Sequence, residues 1–173
     1  MARQVWTHRT AGATFSPCRK YRYSLWRAIG ADWPIGTRCA FIGLNPSTAN
    51  ELLDDPTVRR CWRFAQDWGH VHFHMLNLFP FRATDPRDMI EHEEDPKARE
   101  LNFEVCKLIV AEADMVVFAW GNHGELQSRA NEMLSRLASV PGFSDKAHCL
   151  GKTAAGYPRH PLYLSKATKP ERW

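Results

Sequence analysis

Four polar turns carry the side chains of this 173-residue chain best suited to chemistry. In the first, an apolar run from Ala40 to Ile42 meets Gly43 and Asn45-Pro46, which cannot continue a strand; the chain must turn and send Asn45, Ser47 and Thr48 out of the sheet. Asn77 closes a second apolar run shortly before Pro80, Gly121-Asn122-His123 closes a third, and the fourth turn leads into Arg159-His160-Pro161-Leu162-Tyr163-Leu164-Ser165. Amides, hydroxyls and imidazoles at strand ends are groups that bind and orient a ligand, although each alone also reads as a turn satisfying its own backbone. Metal chemistry has less to support it. His72 and His74 sit two apart on one strand face, yet no third ligand stands nearby. The five cysteines (18, 39, 61, 106 and 149) are scattered without a C-x-x-C pair, so they are expected to be buried, reduced and structural, and neither metal nor cofactor is expected.

The elements that position these turns follow from the pattern. A strand is predicted over residues 38–44, and Asp54-Asp55-Pro56 then opens a helix to about residue 68, with an aspartate cap and a proline whose missing N–H costs nothing there. Val58, Cys61, Trp62, Phe64, Ala65 and Trp68 recur at helical spacing, while Arg59, Arg60 and Arg63 fall elsewhere around it. Gly69 ends the helix, and a strand is predicted over 71–78. Residues 79–95 read as a loop carrying Arg82, Asp85 and Arg87. A helix over 96–113 should bury Leu101, Val105, Leu108 and Ile109. The all-apolar run 115–120 reads as a central strand, a helix runs from Asn122 or His123 to about 139, and a last strand lies near 147–150.

Strands separated by helices predict a three-layer α/β/α sandwich around a mainly parallel four-stranded sheet, in one domain over 1–173. Right-handed crossovers bring the four turns to one edge, so Asn45, Asn77 and His160 should share a cleft. Residues 1–37 alternate aromatic residues (Trp6, Phe15, Tyr21, Tyr23, Trp26, Trp33) with basic ones (Arg3, Arg9, Arg19, Lys20, Arg22, Arg27). They read as strands or a short helix packed beside the sheet, with a face that could hold phosphates.

Charged residues at 24% and hydrophobic ones at 44% fit a soluble globular protein and exclude the disordered and membrane classes. The start lacks the apolar core of a signal peptide, so a cytoplasmic location is expected, with no membrane partner. A net charge of +4 is compatible with a polyanionic partner without demanding one.

In order along residues 38–165, these motifs resemble the uracil-DNA glycosylase superfamily. Gly43-Leu44-Asn45-Pro46 looks like its G-x-[DN]-P water-activating loop, and Met75-Leu76-Asn77-Leu78 like the strand whose terminal asparagine reads the base. Residues 115–123 resemble its apolar strand ending in W-G-x-x, and residues 160–165 its H-P-S-P-L-S segment. The whole chain also resembles a small bacterial and phage family known chiefly as a domain of unknown function, through its N-P-S-T, R-A-T-D-P and R-H-P-L-Y blocks.

The superfamily resemblance implies a monofunctional DNA glycosylase with Asn45 and His160 as catalytic residues and no lysine placed for a Schiff base. Gly43, Leu44, Pro46, Ser47, Asn77 and Phe79 would bind the base, with Thr48, Lys152, Arg159, Leu162, Tyr163, Leu164 and Lys166 on the DNA, aided by Lys169 and Arg172. Leu164 would enter the duplex, with Tyr163 or Leu162 as alternatives. Asn45 would orient water toward the sugar carbon, His160 would donate to the base as charge develops, and Asn77 would read its edge. The superfamily's thymine-excluding aromatic is absent, since Ser47 and Thr48 follow Pro46; the implied substrate is a modified pyrimidine with a bulky group on its fifth carbon, in repair or in defence against phage. Leu162-Tyr163 replaces the motif's serine and proline, which alters how phosphates would be gripped. The implied partner is single- or double-stranded DNA, bound by a monomer. Two other readings stand beside this one, a hydrolase or transferase acting on free nucleotides and an inert nucleic-acid-binding module.

Overall fold

The computed structural model describes residues 10–30 and 35–173. An antiparallel pair, β1 (Ala11–Phe15) and β2 (Arg22–Ala28), leads into β3 (Arg38–Gly43), and α1 (Pro56–Asp67) then crosses over to β4 (His72–Asn77). Helices α2 (Pro86–Glu91) and α3 (Pro96–Glu112) precede β5 (Met115–Phe118); α4 (Arg129–Leu137) and α5 (Phe143–Lys146) precede β6 (Ala147–Cys149), and β7 (Glu171–Arg172) closes the chain. The result is a mixed α/β sheet of seven strands in the order β1-β2-β4-β3-β5-β6-β7.

The parallel centre is β4-β3-β5-β6, while β2 pairs antiparallel with β4 and β7 antiparallel with β6. The expected four strands are therefore flanked by three more. In β2 (RYSLWRA) two arginines break the apolar pattern that a strand buried along most of its length otherwise shows. The described part of the first 37 residues is thus sheet rather than an addition beside it; Arg3, Trp6, Arg9 and Trp33 lie outside the described residues.

Alternation along β3 feeds two cores. Ala40 and Ile42 pack with Phe103, Cys106 and Ile109 of α3 and Met133 and Leu137 of α4, whereas Cys39 and Phe41 pack with Val58, Cys61, Phe64 and Ala65 of α1. Helix α1 starts where Asp55 accepts from the Val58 N–H at 2.8 Å, with Pro56 at its first position.

Three predicted details are corrected. Helix α3 buries Ala98, Asn102, Phe103, Cys106, Ile109 and Val110, while Leu101 and Leu108 are about half exposed. Apolar residues surround this helix, and its rotation is chosen by Asn102, whose Nδ2 donates to the Asn77 and Leu78 carbonyls at 3.0 and 3.3 Å. The loop 79–95 contains α2, started by the Asp85 carboxylate accepting from Arg87 N–H. The helix expected from 122 is broken: a 3-10 segment over Asn122–Ser128 ends in Gln127 and Ser128 at positive φ, which set it off from α4. Among the described residues no helix is long and apolar enough to cross a membrane.

Candidate active site

Strand order reverses between β3 and β5, since the chain leaves β3 toward β4 on one side and leaves β5 toward β6 on the other. Such a switch point opens a crevice beyond the strands' carboxyl ends. A cleft of about 400 Å³ lies there, and Asn45, Asn77 and His160 all line it, together with Gly43, Leu44, Ser47 and Trp120.

The backbone past β3 is tied by Leu78 N–H to Gly43 O, Phe79 N–H to Leu44 O and Ala83 N–H to Pro46 O, each at 2.9 Å. Asn45 has both amide hydrogens committed: Nδ2 donates to Ala83 O at 2.8 Å and to Pro46 O at 3.2 Å. What it has left for a ligand is Oδ1, an acceptor. Gly43 has a packing reason, because a Cβ there would come within 2.6 Å of Met75 Cε and 3.0 Å of Asn77 Nδ2.

His160 has the opposite polarity. Leu162 N–H donates to its Nδ1 at 3.3 Å, so the neutral ring carries its proton on Nε2. Burial lowers the His160 pKa below the ordinary histidine value, against an opposing pull from Asp55, which favours this neutral form. Gly121 turns the chain beside it at φ 69°, a backbone shape that favours glycine, and its N–H donates to Pro158 O at 2.9 Å, tying that turn to the segment leading into His160.

Asn77 is 2% exposed, and its Oδ1 accepts from Arg22 Nη2 at 3.2 Å. That bond fixes the amide, leaving buried Nδ2 without a partner and available as a donor. Arg22, 2% exposed, also lines the cleft and donates through Nη1 to Ala49 O at 3.2 Å, while its Nε has no partner. Burial pushes its pKa down to about 10, with Asp55 opposing and Arg82 and Arg27 adding repulsion. Asp55 is the one carboxylate among the described residues that line the cleft, and its capping bond to Val58 occupies one oxygen. The cleft thus offers donors at Asn77, His160 and Arg22, an acceptor at Asn45 and one negative charge at Asp55.

The sequence places Arg22 only among the basic residues of a phosphate-holding face and Asp55 only as a helix cap, and neither is expected in the cleft. An arginine inside Tyr21-Arg22-Tyr23-Ser24-Leu25 is a charge held among residues that will be buried, which is the signal that could have singled it out. Asp55 reads fully as a helix cap, and nothing in its spacing tells that it also lines the cleft.

Other expected site residues lie elsewhere. Phe79 is core, 5% exposed, with the Arg129 guanidinium 4.4 Å from its ring centre; the turn after Asn77 points inward because buried Arg129, paired with Glu94, needs cover. Pro46 is buried and contributes its carbonyl to the turn. Leu164 is 8% exposed in the α1 core, and its carbonyl accepts from Arg60, so it is anchored rather than free to enter a duplex; Tyr163 is 88% exposed. Thr48, Lys152, Arg159 and Lys166 are exposed outside the cleft lining. Leu162 lines a shallow groove with Arg59, Arg60 and Arg63 of α1. Arg172 is engaged with the Ser144 and Asp145 carbonyls.

Cys39, Cys61, Cys106 and Cys149 are buried thiols, but Cys18 is exposed, contrary to expectation, because it sits in the tight turn between β1 and β2. His72 and His74 are buried, with ring centres 5.1 Å apart. Among the described residues no group of three or more histidine, cysteine, aspartate or glutamate side chains could hold a metal ion.

Compared with known proteins, the chain matches no curated protein and no solved structure. A family model does match, over residues 22–162, from the buried arginine of β2 through the His160 turn. The chain therefore belongs to the family described as protein of unknown function (DUF1643).

Proposed function

We propose that the protein is a DNA glycosylase hydrolysing the N-glycosidic bond of a flipped-out modified pyrimidine, with a three-layer arrangement like that of the uracil-DNA glycosylase superfamily. The fold part rests on the parallel strands, whose order is second, first, third, fourth, and on helices packed against both faces. One observation carries the function: in a single cleft, Asn45 has only its oxygen free, while Asn77 and His160 keep donors.

That division suits a dissociative hydrolysis. The bond from the sugar carbon to the base nitrogen breaks with its electron pair going to the base, and the donors of Asn77 and His160, backed by the Arg22 charge, meet the growing negative charge. Asn45 Oδ1 holds a water by one hydrogen and aims its lone pair at the sugar carbon; positioning suffices, because the carbon is already electron-poor. Asp55 supplies the negative charge that a cationic sugar needs and that a neutral asparagine cannot. Water adds to the sugar carbon, and the proton it loses balances the charge on the departing base.

Ser47 and Thr84 line the same cleft, their hydroxyl oxygens 3.5 Å apart, and small polar residues there leave room for a substituent on the pyrimidine's fifth carbon. The test is alkali-labile abasic-site formation in duplexes containing 5-hydroxymethylated or glucosylated pyrimidines. Asn45→Ala and His160→Ala should each slow it by roughly a hundredfold, as when other transition-state groups are removed. Unchanged rates in both variants would refute these assignments.

A further inference from the structure

The segment between Ser47 and Asp55 leaves the cleft wall and returns to it, since both of those residues line the cleft. At its tip Leu52 is 87% and Leu53 67% exposed. Two adjacent leucines in water are unfavourable on a segment free to fold them away, and this one is held. Asn50 Oδ1 accepts from both the Leu52 and Leu53 N–H groups at 2.9 Å, and Asn50 N–H donates to Leu53 O at 2.9 Å. From beneath, Arg27 donates to Asn50 O at 2.8 Å and pairs with Asp54 at 2.6 Å, while Arg22 donates to Ala49 O. Glu51 is neutralised by a two-point contact with Arg19, at 2.8 and 2.9 Å. Three arginines hold this apolar tip in place.

Cations stand near both ends of the leucine pair, where Arg19 meets Glu51 and Arg59 donates to the Asp54 carbonyl. A depression lined by Arg19, Lys20 and Arg82 shares Ala83 and Thr84 with the cleft, and Arg59, Arg60 and Arg63 line a groove on the helix that Asp55 starts. An apolar tip between cationic flanks complements a double helix, whose stacked bases lie between two lines of phosphates.

We infer that Leu52-Leu53 is a wedge that enters duplex DNA and fills the space left by the nucleotide turned into the cleft. The inference rests on the proposed function for its choice of partner and adds that the substrate is double-stranded. A membrane surface fits this tip less well, because two leucines beside Glu51 offer little to insert and would press the cleft mouth against lipid headgroups.

The test needs no base release. Wild type and the Leu52→Ser, Leu53→Ser double variant are titrated with two fluorescent duplexes of one sequence, one intact and one carrying a single tetrahydrofuran abasic position. Wild type should prefer the gapped duplex by about tenfold or more, and the double variant should lose most of that preference while keeping its affinity for intact duplex, which rests on phosphates. Both leucines are exposed, so the unfolding midpoint should not move. A wild type without the preference, a double variant that keeps it, or its loss in Tyr163→Ala instead would overturn the inference. So would leucine-dependent flotation with phosphatidylserine vesicles in place of duplex binding. Base release by a wild type lacking the preference would leave the glycosylase reading standing and the wedge refuted; the preference without base release would do the reverse.

Discussion

Replacing Arg22 with glutamine should separate function from stability. Arg22 is 2% exposed with neutral hydrogen-bond partners, and burial brings its pKa down to about 10. At about 1.4 kcal/mol for each tenfold change in the protonation equilibrium, keeping the guanidinium charged inside the protein costs roughly 3 kcal/mol at neutral pH. Arg22→Gln removes that cost. It also withdraws the charged donors from Ala49 O and Asn77 Oδ1, worth about 1.5–3 kcal/mol each, part of which the glutamine amide restores. The opposing effects nearly cancel, so urea unfolding should give a stability within about 2 kcal/mol of wild type. Base release should fall by roughly a hundredfold or more, because a fixed, buried positive charge beside the cleft is lost where negative charge develops. A loss above about 4 kcal/mol would make Arg22 a structural brace and refute this reasoning; unaltered base release in a stable variant would refute its role in the cleft.

Acid should weaken the fold through its histidines. Burial lowers the pKa of His70 and His160, that of His74 well below the ordinary value, and that of His72 to about 3, with Arg38 adding to the last. The unfolded chain then binds more protons, so stability is complete above about pH 6.5 and falls toward pH 3, with His72 alone contributing about 1.4 kcal/mol per pH unit and the other three acting in the same direction. Urea midpoints between pH 7 and 4 check this, and a flat profile would contradict it. Ser47→Tyr should cut release of a 5-substituted pyrimidine far more than it weakens DNA binding, measured by paired excision and anisotropy titrations. Asp55→Asn keeps an oxygen to accept from Val58 N–H but removes the cleft's carboxylate, so base release should drop by about tenfold or more with α1 intact by circular dichroism.

The central strands were legible because an all-apolar run such as residues 115–120, which stops at Gly121 and holds β5, can be little else. α1 was legible because Asp55-Pro56 states its start chemically. The antiparallel β2 was not, since arginines and aromatics alternate there in a pattern that also describes an exposed face. Placement of Asn45, Asn77 and His160 in one cleft followed from the crossover rule, which needs only strand order. What no pattern could supply was which atom each side chain has free. Asn77 is a donor toward the cleft because Arg22, 55 residues earlier, takes its oxygen. Leu164 and Phe79 failed as site residues for a related reason: an apolar residue beside a functional turn faces core or solvent according to neighbours distant in sequence, here Arg60 and Arg129.

The most direct test is mass spectrometry of small molecules released when the purified protein meets DNAs that differ only in one pyrimidine: unmodified, 5-methylated, 5-hydroxymethylated and glucosylated. Hydrolysis at the N-glycosidic bond predicts a free modified base matched by an equal amount of abasic sites, lost in Asn45→Ala and His160→Ala proteins that still bind the DNA. No base released from any of these polymers, or a product still carrying its sugar, would contradict the glycosylase reading and leave the cleft to a ligand of another kind.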